Sequence, residues 1–152
     1  MSGTVYMICT GNICRSPMAE VLLKQLLNEA GAEGIEVVSA GTWAQNGLNA
    51  SLESREAMRR YGLSLRGHRS AQLRREDVGK AGLILTMEAR HIAEVLALNK
   101  DAADKTYTLK GYAAGMRGFP GVDCDVRDPY GMPLAVYVEC AGEIKDHLER
   151  AL

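Results

Sequence analysis

The stretch from Ile8 to Glu20, ICTGNICRSPMAE, joins a short run of β-prone residues to an amphipathic segment, and it constrains this chain more than any other feature. Thr4 to Ile8 reads as a buried strand that stops at Cys9, where a glycine-containing loop begins. Helix signals follow at once. Ser16 is a favoured N-cap residue, Pro17 suits the first helical position, and Ala19, Leu22, Leu23, Leu26, Leu27 and Ala30 recur at helical spacing. The pattern predicts a helix starting at Ser16 or Pro17.

A loop held between a strand end and a helix N-terminus gathers unpaired backbone N–H groups, and the helix dipole adds positive charge there. Such a loop cradles an anion. Thr10, Gly11, Asn12, Ile13 and Cys14 would form its backbone, and Arg15 adds a fork of donors suited to two oxygens at once. Gly11 and Asn12 tolerate the left-handed backbone that lets successive N–H groups converge. Cys9 stands at the rim. Thiols beside a helix N-terminus and an arginine favour the thiolate, so the stretch reads as a nucleophile facing a phosphate site. No Gly-Lys-Ser/Thr follows the glycine, which excludes a nucleotide-type phosphate loop.

With 152 residues, 47% hydrophobic and 24% charged, the chain has the composition of one soluble globular domain spanning 1–152, without need of a metal or disulfide staple. No apolar run approaches a membrane span, and the N-terminus lacks the pattern of a secretory signal, so a cytoplasmic location is expected. Cys9, Cys14, Cys124 and Cys140 are too sparse for a disulfide framework. Structural zinc at Cys9 and Cys14 is disfavoured because Arg15 and the intervening residues suit an anion. A net charge of −1 argues against general nucleic-acid binding.

Further along, Ile35 to Ser39 reads as a second strand with Val37 and Val38 buried, and Leu52 to Tyr61 as a helix with Ala57, Met58 and Tyr61 inward and Gly62 at its C-cap. Between them lies a polar loop carrying the sole tryptophan, Trp43. Arg55, Arg59, Arg60, Arg66, Arg69, Arg74 and Arg75 form a basic stretch that reads as a solvated face or a docking surface for an acidic phosphopeptide. Gly82 to Thr86 is a buried third strand, Glu88 to Leu98 a helix with Ile92, Val95 and Leu96 inward, and Lys105 to Leu109 a fourth strand. Lys110 to Val126 is a long loop, and Pro133 to Leu152 a closing helix with Val136, Cys140, Ile144 and Leu148 inward. Alternating strands and helices predict an α/β fold with a doubly wound parallel sheet and ligands beyond the carboxyl ends of its strands.

CTGNICRSPMAE, SAGT at Ser39 to Thr42, GLSLRGHRS at Gly62 to Ser70 and DPYG at Asp128 to Gly131 occur together and in order. On these motifs nearly the whole chain resembles the low-molecular-weight protein tyrosine phosphatases of bacterial type. The resemblance implies a flavodoxin-like sheet of four parallel strands in the order 2-1-3-4 with helices on both faces. It implies Cys9 as nucleophile, Arg15 as transition-state ligand and Asp128 as general acid and base. The phosphate loop would be Thr10 to Ser16, and the substrate cleft would be walled by Ile13, Trp43 and Tyr130. Asn12, Ser16, Ser39 and His68 would form a supporting network, with Asn12 bridging to Ser39 and His68. The implied partners are phosphorylated proteins, with a tyrosine kinase or an exopolysaccharide system behind them, and no cofactor or metal. Oligomeric state is left open.

Relatives that act on phosphoarginine carry Thr where this chain has Ile13, although CTGN, RSPMAE and TYTLKGY otherwise resemble that branch. An apolar branched side chain suits a phenyl ring, which favours phosphotyrosine, with a protein-arginine phosphatase as the alternative. A thioredoxin-coupled arsenate reductase would need relay cysteines, and none lies between Cys14 and Cys124. A non-catalytic phosphoprotein-binding module fits poorly with an intact Cys9, Arg15 and Asp128. Cys14 is placed to resolve oxidised Cys9 as a disulfide.

Overall fold

The computed structural model describes residues 3–115 and 124–152. Four parallel strands, β1 (Gly3–Cys9), β2 (Ile35–Gly41), β3 (Leu83–Thr86) and β4 (Thr106–Thr108), form one sheet in the order β2-β1-β3-β4. The helices are α1 (Arg15–Glu29), α2 (Leu52–Arg59), α3 (Arg75–Lys80), α4 (Ala89–Leu98), α5 (Leu109–Ala113) and α6 (Leu134–Ala151). Side chains alternate across each strand, and the sheet thereby separates two cores. Met7, Val37 and Leu85 pack with Met18 and Leu22 of α1 and Tyr137 and Ile144 of α6. Ile8, Ala40 and Ile84 face the other way, onto Val78 of α3 and Val95 of α4. The doubly wound α/β architecture with helices on both faces is therefore as the sequence predicts. Among the described residues no helix is long and apolar enough to cross a membrane.

Several boundaries differ for identifiable reasons. Helix α1 starts at Arg15 with Cys14 at its N-cap, and no side chain caps it. Ser16 does not act as the cap, because its hydroxyl is engaged by Cys9 and Asn12 instead. Strand β2 runs on to Gly41, because pairing with β1 continues until Gly41 lies opposite Cys9. Helix α2 stops at Arg59, and the chain leaves it through Gly62 at φ 72°. Tyr61 and Val38 are half-buried rather than buried, and Leu96 and Val136 likewise.

Two short helices escape the sequence reading. Helix α3 is closed by Asp77, whose carboxylate accepts from the Arg74 backbone N–H at 2.9 Å. Helix α5 begins at Leu109, the last residue predicted as strand, and takes up the start of the stretch predicted as loop, with the Thr108 hydroxyl accepting from Gly111 N–H at 3.0 Å. Residues 116–123 of the predicted loop lie outside the described residues.

Candidate active site

Strand β1 delivers Cys9 to the carboxyl edge of the sheet, and the chain turns through residues 10–14 before α1 begins. Asn12 takes φ 57°, the only non-glycine residue with positive φ among those described, and this turns its N–H back onto Cys9 Sγ at 3.3 Å. Ser16 Oγ accepts from Asn12 Nδ2 at 2.8 Å, which leaves its own proton for Cys9 Sγ at 2.9 Å. Two donors thus converge on a sulfur that is almost fully buried. That is the hydrogen bonding a thiolate requires.

The outer side of the loop is held as firmly. Asn12 Oδ1 accepts from Ala71 N–H at 2.9 Å, and the Asn12 carbonyl accepts from His68 Nε2 at 2.8 Å. Ser51 N–H donates to the Ile13 carbonyl at 2.8 Å, and Thr42 and Trp43 N–H groups donate to the Cys9 and Thr10 carbonyls. Gly41 is pressed against this turn. A Cβ on it would collide with the Thr10 carbonyl oxygen and crowd the Asn12 nitrogen at 3.1 Å.

Ser39 stands apart from this network, contrary to the expected bridge from Asn12. The register sets Ser39 opposite Met7, two residues short of Cys9, so its hydroxyl reaches α1 and donates to Glu20 at 2.7 Å. The amide of Asn12 is satisfied by Ser16 and Ala71 instead.

Arg15 is 1% exposed, and its guanidinium is divided by function. Nη1 donates to Glu88 at 2.6 Å and to the Val126 carbonyl at 2.8 Å. Nη2 lies 3.5 Å from Asp128, and Nε, though buried, has no hydrogen-bond partner among the described residues. The Nε and Nη2 edge is thus the one left for a ligand, and it matches two oxygens of a tetrahedral oxyanion.

Burial by itself would raise the Glu88 carboxyl, but the guanidiniums of Arg15 and Arg90 outweigh it and hold that carboxyl below the ordinary range. Arg90 also donates to Thr10 Oγ1 at 2.7 Å, as does His91 Nε2 at 2.9 Å. His91 Nδ1 accepts from Glu88 N–H at 3.1 Å, which fixes the tautomer. Desolvation, with Arg15 adding to it, lowers His91 to about 3, so it serves as a neutral donor.

Asp128 arrives on a segment pinned to the loop after β3. Val126 N–H donates to the Met87 carbonyl at 2.7 Å, and Asp125 accepts from Ala89 N–H at 2.7 Å. The Asp128 carboxylate accepts from Tyr130 N–H at 3.1 Å and remains 44% exposed at the mouth of the site. Above the cradle opens a cavity of about 410 Å³ lined by Cys9, Arg15 and Asp128, with Ile13, Trp43, Leu48 and Tyr130 as apolar walls. Trp43 is 85% exposed and Tyr130 69% exposed, so both rings stand free at the rim. Cys14 lines the same cavity, its Sγ 3.6 Å from the hydroxyls of Ser51 and Tyr137. Burial raises its thiol above the ordinary value.

Residues 4–152 match the family model described as low molecular weight phosphotyrosine protein phosphatase. The chain belongs to this family. It is 36% identical over 148 residues to the protein-arginine-phosphatase of Geobacillus stearothermophilus, covering 96% of this chain and 91% of that one. The Escherichia coli K12 low molecular weight protein-tyrosine-phosphatase Etp is 37% identical over 103 residues, covering 68% of this chain and 66% of the relative. The crystal structure of the low molecular weight protein tyrosine phosphatase from T. tengcongensis superposes with a TM-score of 0.87 at 38% identity, covering 98% and 97%.

The geometry of this phosphatase brings Cys9, Thr10, Arg15 and Asp128 together around one cavity, with Asn12, Ser16 and His68 holding the loop from behind. Sequence reasoning missed Glu88, Arg90, His91, Leu48 and Gly41. Glu88 had a usable signal: it follows β3 by two residues, at the strand end beside the loop, where a doubly wound sheet places its ligand groups.

Proposed function

We propose that this protein phosphatase hydrolyses phosphotyrosine in proteins through a cysteinyl-phosphate intermediate. The observation that carries the reading is the apolar collar of Ile13, Trp43, Leu48 and Tyr130 above the cradle, which suits the faces of a phenyl ring. A guanidinium entering the same collar would lose water without a neutral polar partner at Ile13. Asp128 is the sole carboxylate among the residues that line the cavity, and it is needed for proton transfer.

In the first step Cys9 thiolate attacks phosphorus in line while the phosphorus–oxygen bond to the phenol breaks. Arg15 Nε and Nη2, with the N–H groups of the loop, take the charge on the equatorial oxygens. Asp128 gives its proton to the departing phenolate oxygen, a contribution typically of about 10² to 10⁴ in rate. In the second step Asp128 takes a proton from water as that water attacks phosphorus, and the sulfur leaves as thiolate. Ser16 donates to that sulfur, which makes it the better leaving group. Neither step calls for a metal or a cofactor.

The second reading is a protein-arginine phosphatase, favoured by the identity to the Geobacillus stearothermophilus enzyme of that name. Phosphopeptides identical except for phosphotyrosine or phosphoarginine separate the two. We expect phosphotyrosine to be preferred and Ile13→Thr to shift the ratio towards phosphoarginine. A wild-type preference for phosphoarginine, or an unchanged ratio in the variant, overturns the argument.

The phosphatase is further proposed to be a single domain over 1–152, to work in the cytoplasm on the products of a tyrosine kinase, and to be sensitive to oxidation. The unbridged thiols of Cys9, Cys14 and Cys140 suit a reducing compartment.

A further inference from the structure

The basic stretch of the sequence folds into something more specific than a solvated face. Arg55 of α2 and Arg66 of the following loop approach each other and line two adjoining surface depressions. One, of about 510 Å³, also involves Glu56, Arg59, Ser64 and Leu65, and the other, of about 160 Å³, involves Asn49 and Arg69. Among the described residues, Arg55, Arg66 and Arg69 form no ion pair with any carboxylate, whereas Arg59 is paired with Glu56 at 2.9 Å. Elsewhere Arg74 and Arg90 are each neutralised by acidic neighbours. A chain of net charge −1 has therefore gathered uncompensated positive charge in one concave place. Like charges held together repel one another, and an anion from outside relieves that repulsion.

The place adjoins the catalytic cleft. Leu48 walls the cleft, and Asn49, the next residue, lines the smaller basic depression. The two segments are tied by Ser70 N–H donating to the Leu48 carbonyl at 2.7 Å, and Leu48 N–H donating to Ser70 Oγ at 2.9 Å. Residues Arg66 to Ala71 thus present arginines outward while His68 and Ala71 hold Asn12 of the phosphate loop.

We propose that this arginine-lined surface is a docking site for an acidic segment flanking the phosphorylated residue of the protein substrate. The proposal rests on the reading of the cleft as a phosphoprotein site. A peptide seated in the cleft leaves over the Leu48 wall, and extended chain advances about 3.3 Å per residue, so Asp or Glu a few positions from the phosphoresidue meets Arg55 and Arg66. Steering of this kind speeds encounter, weakens with salt and changes KM more than kcat.

The test uses phosphotyrosine peptides carrying a run of Asp and Glu on the N-terminal side, on the C-terminal side, or on neither, with 4-nitrophenyl phosphate as the substrate without flanks. At low ionic strength we expect one acidic flank to raise kcat/KM about five- to tenfold, the scale of a few exposed ion pairs, and 0.5 M salt to erase the gain. Arg55→Ser with Arg66→Ser should remove the preference, and Arg55→Glu with Arg66→Glu should invert it, with 4-nitrophenyl phosphate turnover and melting temperature unchanged. Arg69 is left in place because its guanidinium donates to the carbonyls of Arg66 and His68.

Equal rates on all three peptides, or a preference that survives the double variant, overturn the proposal. So does a double variant that loses binding to vesicles with anionic lipid while its peptide preference stays intact, since that assigns the surface to a membrane. If no phosphotyrosine peptide turns over while phosphoarginine peptides do, the reading of the cleft fails separately, and the same flanks on phosphoarginine decide the docking surface.

Discussion

Glu88 holds one nitrogen of Arg15 at 2.6 Å and thereby decides which edge of the guanidinium faces the cleft. The pair is asymmetric, since Arg15 is buried and Glu88 is bridged outward to Arg90 at 3.1 Å. We expect Glu88→Gln, which keeps the shape and removes the charge, to lower kcat/KM by about ten- to a hundredfold, the worth of one charge-assisted hydrogen bond of ~1.5 to 3 kcal/mol. Vanadate affinity should fall in parallel, because the defect lies in oxyanion binding. An unchanged vanadate affinity would show that the backbone alone orients Arg15.

Gly41 is required by space rather than by its own dihedral. With β2 extended until Gly41 lies opposite Cys9, any side chain on it enters the turn at Thr10. Gly41→Ala should cost about 1 to 3 kcal/mol by overpacking, a fall of roughly 3 to 10 °C in melting temperature, and turnover should drop with it. Gly67→Ala, where an added Cβ meets nothing within 4 Å, serves as the control and should leave both unchanged. Equal effects at the two positions would remove the claim that Gly41 is a contact point of the loop.

His91 makes an acid-sensitive element of the same loop. Its folded value is about 3, whereas an unfolded histidine titrates near ~6.5, so between these values the unfolded chain binds a proton that the folded chain refuses. Stability therefore falls as pH drops from about 6.5 towards 3, with a limiting slope of about 1.4 kcal/mol per pH unit from this one group. Urea melts at pH 7.5, 6 and 5 should reveal that slope, and His91→Asn should reduce it. Nitrogen-15 spectra should find His91 still neutral at pH 5; a charged ring there sinks the account.

The fold was legible because its signals are local and repeated: apolar runs, helical spacing and glycine stops along β1, α1, β2 and α6 are read without knowing what touches what. The chemistry of Cys9, Arg15 and the loop between them was legible for the same reason, since strand, loop and helix are contiguous. What the sequence hid is contact between distant segments. Glu88 meets Arg15 across 73 positions, and Arg90 meets Thr10 across 80. Ser39 shows the converse error, in which a residue that the family resemblance assigns to the loop's network is held two positions short of the loop by the strand register. Ser16 was misread as a cap because the rule for capping competes here with a buried sulfur that takes its proton. Helix α5 and the Asp77 closure of α3 are too short for periodicity to register.

Asp128 meets Arg15 Nη2 at 3.5 Å and is partly open to water, a placement that suits exchange of a proton with leaving group or solvent. Asp128→Asn should slow an unactivated aryl phosphate by about 10² or more and 4-nitrophenyl phosphate much less, because only the poorer leaving group needs the proton. Equal losses on both substrates would demote Asp128 to a residue that merely shapes the turn before Tyr130.

The last expectation concerns Cys14, which shares the cavity with Cys9 and is surrounded by hydroxyls rather than by bases. Peroxide oxidises Cys9 to the sulfenic acid; Cys14 then attacks that sulfur, a disulfide forms and water leaves, and external thiol reduces the pair back to two thiols. Burial raises the Cys14 thiol, while its hydrogen bonds with Tyr137 and Ser51 work in the opposite direction. The attacking form is the thiolate, so resolution should accelerate as pH rises from 7 to 9. Tyr137→Phe, which removes one of those hydrogen bonds, should slow it and let more enzyme pass to the sulfinic acid. Cys14→Ser should make inactivation irreversible, with Cys140 unable to substitute because burial pushes its thiol up to about 12. Mass spectrometry of peptides after a brief peroxide pulse reads the cross-link directly. Full recovery of Cys14→Ser by dithiothreitol, or a cross-link rate indifferent to pH and to Tyr137, would mean that Cys14 is packing and nothing more.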